Sequence, residues 1–87
     1  MASEITETHQ IRLHSAEITK EAYAMGMRLN NINFAGFNVE LQHIRRPNML
    51  EDILPRPDIV IGEGDILVLL GSPADLGSAE KFLLTGR

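Results

Sequence analysis

Eighty-seven residues, no cysteine and a formal net charge of −4 describe one small acidic domain with no disulfide and no thiolate metal site. Twelve Asp and Glu outnumber eight Lys and Arg, and only Arg45 and Arg46 stand together, which argues against a phosphate-backbone binder; no nucleic-acid partner is expected. Hydrophobic residues reach 44% but aromatics only 5%, and an aliphatic core of this size without staples is thin enough that self-association is expected.

Residues 1–9 are polar and acidic and read as a flexible lead-in or linker remnant, with residues 10–87 as the folded domain. A secretory signal would need a basic start followed by an apolar stretch, so none is predicted. Gln10-Ile11-Arg12-Leu13 alternates, which predicts a first strand with Ile11 and Leu13 on its core face. Ile18, Ala22, Met25 and Leu29 are spaced 4, 3 and 4 apart, one helical stripe. A helix is therefore predicted to begin after Ser15 or Thr19 and to end at Leu29, with Gly26 inside it costing about 1 kcal/mol relative to Ala. The asparagines of Asn30-Asn31-Ile32-Asn33 suit the turn that follows.

After Gly36, Phe37 to Gln42 alternates strictly and predicts a half-buried strand; the pattern slips at His43-Ile44, marking a bulge or a strand end. Met49 to Leu54 reads as another short strand. It is closed by Pro55-Arg56-Pro57, whose prolines cannot donate to a ladder and force an extended path. Ile59-Val60-Ile61 leads into the acidic turn Gly62-Glu63-Gly64-Asp65. Ile66 to Leu70 then runs without a polar interruption, as in a strand covered on both faces. At five residues this longest apolar run falls far short of the roughly 20 that a membrane helix needs. Gly71 ends it, Ser72 is a credible N-cap, and Pro73 takes the first position of a final helix. The order β–α–β–β–β–α predicts an α+β fold of one sheet and two helices.

Five cues in this order resemble the TrkA-C domain, also called the RCK C-terminal domain, over about residues 10 to 84. Gly36-Phe37-Asn38-Val39 is similar to the family's glycine and hydrophobic strand, and Ile44-Arg45-Arg46 to its basic end. Ile53-Leu54-Pro55 resembles its apolar pair and proline, Gly64-Asp65 its Gly-Asp, and Gly71 its closing glycine. The resemblance favours the later start for the first helix. It implies a cytoplasmic regulatory module of a potassium or other monovalent-cation channel, transporter or antiporter. Such a module pairs as a homodimer, attaches to a membrane transport subunit or to a membrane domain of the same parent protein, and senses a small molecule. The same domain in a transporter for other solutes, such as dicarboxylates or amino acids, stays open. A stand-alone dimeric adaptor that binds only protein is the alternative from a different class.

In TrkA-C dimers the end of the first helix and the start of the next strand face the partner across a ligand cleft. By resemblance, Asn30, Ile32, Asn38 and Val39 are the ligand-binding residues, with Arg45 as a contributor of positive charge. Some relatives bind cyclic di-AMP there, using an asparagine-hydrophobic pair like Asn38-Val39 and an arginine four residues before the glycine. Here that position is Ile32, which removes a phosphate partner, so cyclic di-AMP is expected to bind weakly.

The remaining motifs read as structure. Gly62-x-Gly64 lacks a third glycine, position 67 being Leu, and a strand follows it where a phosphate-binding helix end would be needed. His9, His14 and His43 lie 5 and 29 residues apart and make no i, i+4 metal pair. Glu51-Asp52 and Glu63 with Asp65 show no convergence of the kind an acid–base pair requires, and Asp65 is expected to accept turn N–H bonds. With no nucleophile triad, phosphate loop or zinc pattern, neither catalysis nor a resident cofactor or metal is expected.

Overall fold

The computed structural model describes residues 10–87, and the predicted lead-in lies outside them. Arg12–Glu17 (β1), Glu40–Arg45 (β2) and Ile66–Gly71 (β3) form one antiparallel sheet with the apolar run β3 in its centre. Leu67 and Leu69 are fully buried in the core and Val68 nearly so, but Ile66 and Leu70 on the face of Val68 are only half-buried, so the covering of both faces that the unbroken hydrophobicity predicts is complete on one face alone.

His14 and Ala16 of β1 lie opposite Leu69 and Leu67, and Leu41 and Ile44 of β2 face the same pair from the other side. Leu41 and Ile44 are three positions apart, an odd interval that would put them on opposite faces of a regular strand. A register shift between Leu41 and His43 inserts the extra residue that brings both onto the core face. The slip in the sequence pattern is this bulge.

Pro73–Thr85 (α1) is the final helix. Ser72 accepts the Asp75 N–H at its start, and Gly86, at φ 79°, donates to the Phe82 carbonyl at its end. Leu76, Ala79 and Leu83 join Ala16, Leu67 and Leu69 in one core.

Three sequence expectations change. β1 runs from Arg12 to Glu17, and Ile11 and Leu13 are 60% and 64% exposed while Ala16 and Ile18 are buried. Alternation specifies a period of two without saying which parity faces the core, and pairing with β3 selects the other one.

The predicted first helix does not form. Successive i→i−3 bonds (Ala22 to Thr19, Met25 to Ala22, Met27 to Ala24) fold residues 19–27 into turns. Gly26 sits at φ 85°, outside the helical region, and its N–H goes to the Ile61 carbonyl at 2.7 Å. Ile61 and Leu29 N–H groups complete a short ribbon with Met27 and Ile59. Meanwhile Tyr23 and Ala24 donate to the carbonyls of Leu84 and Leu83, which the end of α1 would otherwise leave without partners. The segment caps a helix instead of making one. Among the described residues, helical structure before β2 is limited to two 3-10 turns, Leu29–Asn31 and Phe34–Phe37.

The predicted strand at Met49 to Leu54 reduces to a single bridge between Ile53 and Ile44. The α+β class stands, with a three-stranded antiparallel sheet and one α-helix among the described residues.

Candidate ligand-binding groove

A groove of about 280 Å³ opens between the first 3-10 turn and the Pro55-Arg56-Pro57 strap. Leu29 and Asn30 supply one wall, Phe34 and Leu41 the floor, and the strap the far side. The two walls are tied through the backbone: the Asn30 N–H donates to the Pro57 carbonyl at 3.1 Å, and the Leu29 N–H to the Ile59 carbonyl at 2.9 Å. The prolines keep the strap extended and leave its carbonyls to accept. The lining is apolar apart from Asn30 and Arg56. Arg56 makes no ion pair among the described residues. An apolar cleft with one amide and one guanidinium suits a small molecule that has an apolar body and an anionic group.

The predicted site residues divide. Asn30 lines this groove. Ile32 and Val39 are buried in the core, 7% and 6% exposed. Asn38 is exposed in the left-handed conformation, at φ 61°, and lines a separate cavity against α1. Arg45 lies at the end of β2 with its guanidinium 3.6 Å from Asp52, which also stands 3.4 Å from His43, and it does not line the groove. Sequence reasoning missed Arg56, Phe34 and Leu41. The legible signal was the strap itself: a lone arginine held between two prolines beside hydrophobic segments.

The other charged constellation is structural. Asp65, 2% exposed, receives the Arg46 Nε at 3.2 and 3.3 Å and the Gly62 N–H at 2.8 Å, while the same guanidinium donates to the Val60 carbonyl at 2.6 Å. The acidic turn is thereby locked onto the end of β2. His14 joins β1 to α1 through Glu80 at 2.9 Å. Among the described residues no group of His, Cys, Asp and Glu is arranged to hold a metal ion, and no helix is long and apolar enough to cross a membrane.

Residues 13–84 match the TrkA-C domain family, and the chain belongs to it. No curated protein matches the chain. An RCK domain solved with cda is 25% identical, with 82% of this chain and 96% of that one covered and a TM-score of 0.65. The RCK C domain of the potassium transport protein KtrA, in complex with cyclic diadenosine monophosphate, is 26% identical over 92% of this chain and 89% of its own, with a TM-score of 0.61. The GsuK channel bound to NAD shares the fold, at a TM-score of 0.65 and 14% identity, with 99% of this chain and 15% of the channel covered.

Proposed function

We propose that this TrkA-C domain is the ligand-sensing regulatory domain of a cytoplasmic apparatus that controls a potassium or other monovalent-cation transport protein, and that it has no catalytic role. The groove between Asn30 and the Pro55-Arg56-Pro57 strap carries the reading, because it offers an apolar bed and one unpaired cation without any convergent acid–base or nucleophilic pair. Two relatives at 25% and 26% identity were solved with small-molecule ligands, which supports a binding role for the domain.

In this reading two copies pair symmetrically, a small anion binds near the interface, and its differential affinity for two dimer geometries biases the attached transport machinery. Ile32 is buried, so the position that supplies an arginine in cyclic di-AMP binders contributes only packing here. Arg56 is the remaining cation of the groove and it is exposed, where a charged contact is worth less than in a dry site. Cyclic di-AMP is therefore expected to bind no tighter than about micromolar.

Titration with cyclic di-AMP, AMP, ATP and NADH, followed by amide chemical shifts, tests this. Shifts clustered at residues 29–34, 41 and 55–57 are expected with at least one compound. Shifts confined to residues 62–65, or none with any of the four, would defeat the groove as the site. Submicromolar cyclic di-AMP binding would show that the arginine missing at position 32 is compensated.

A further inference from the structure

Another cavity lies between α1 and the second 3-10 turn, with a volume of about 420 Å³. Asp75, Ser78 and Lys81 line it at three-residue intervals, so they share one face of the helix. Phe37 and Asn38 form the opposite wall, and Arg87, just beyond the closing glycine of α1, borders the same end as Lys81.

Charge is distributed unevenly along this cavity. Lys81 and Arg87 make no ion pair among the described residues. Asp75 lies six residues before Lys81, about 9 Å along the helix axis at 1.5 Å per residue, and its carboxylate already accepts the Ser72 hydroxyl at 2.9 Å. A helix C-terminus ordinarily repels anions through its bare carbonyls. Here those of Phe82, Leu83 and Leu84 accept from Gly86, Ala24 and Tyr23, and that of Lys81 from the Thr85 hydroxyl. The two cations therefore border the cavity at a helix end whose last carbonyls already have donors. Ser78 and Asn38 add a hydroxyl and an amide to the lining.

We propose that this cavity is a second ligand site, distinct from the groove, that takes a small oxyanion: its carboxylate or phosphate group is held by Lys81 and Arg87, with Ser78 and Asn38 as hydrogen-bond donors. Phe34 lines the groove and Phe37 lines this cavity, so one four-residue turn contributes to both.

Inorganic phosphate and, separately, succinate are titrated into the 87-residue chain while amide shifts are followed. Saturable shifts at Asn38, Ser78, Lys81 and Arg87 are expected with at least one of them, and the pair of probes tells a phosphate site from a carboxylate site. The double variant Lys81→Gln with Arg87→Gln is expected to weaken binding by roughly tenfold or more, the scale of charge-assisted hydrogen bonds. It should keep its melting temperature, since both side chains are exposed. Shifts that grow without saturating, that persist undiminished in the double variant, or that fall on Asn30 and Arg56 instead would overturn the site. Because the groove is read at different residues, either site can fail without the other.

Discussion

Arg45 and Arg46 are neighbours in sequence and opposites in role. The Arg45 guanidinium is 61% exposed and 3.6 Å from a half-exposed carboxylate, a surface pair of the kind worth little. Arg46 is the counter-ion of Asp65, whose side chain is 3% exposed. Removing Arg46 leaves a buried carboxylate that, among the described residues, keeps only the Gly62 N–H as a hydrogen-bond donor. We therefore expect Arg46→Ala to destabilise the domain by about 3 kcal/mol and Arg45→Ala by under about 0.5 kcal/mol. Urea denaturation of the two variants measures both, and equal midpoints would mean that the turn does not depend on this pair.

The segment before β2 shows how tertiary partners override a local pattern. Its 4-3-4 apolar spacing is helical, yet Ala22 and Ala24 are both buried while Met25 of the supposed stripe is 40% exposed. Gly26 separates the two descriptions by sign. In a helix, Gly26→Ala would stabilise by about 1 kcal/mol. At φ 85°, with no atom within 4 Å of an added Cβ, the cost is conformational alone, and we expect a loss of about 1 to 2 kcal/mol. Thermal melts decide between them. The central strand is tested by a second contrast: Leu69→Asp places an unpaired carboxylate at a fully buried position and should unfold the domain, whereas Glu63→Ala, on an exposed turn, should not. Equal melting temperatures would mean that β3 is not the core strand.

At the scale of the whole molecule, the helix and three strands of the described residues leave large apolar side chains outside. Ile11, Leu13, Met49 and Leu54 are more than half exposed and Leu50 entirely so. Leu13 lies opposite Leu70 on the sheet face away from the core, where a partner would cover both. We expect a homodimer at micromolar concentration by sedimentation equilibrium. A species of 9.7 kDa with no concentration dependence would sink the proposed interfacial mechanism.

Residue order alone was enough for the family, the central strand and the final helix. Ile66 to Leu70 has no polar position to expose, and the Ser72-Pro73 start of α1 is local chemistry that needs no distant partner. The bulge in β2 was legible through the slip beside His43. What tertiary structure decided are the choices between locally equivalent states. The parity of β1 depends on pairing with β3, and the path of residues 19–29 depends on carbonyls at Ile59, Ile61, Leu83 and Leu84, some 30 to 60 residues away. Arg56 enters the groove only because the strap folds back onto Asn30, and Arg46 rather than Arg45 meets Asp65 only because β2 ends beside the acidic turn. Backbone donors and charges take whichever partner the fold delivers, and no spacing within a short segment encodes that partner's position.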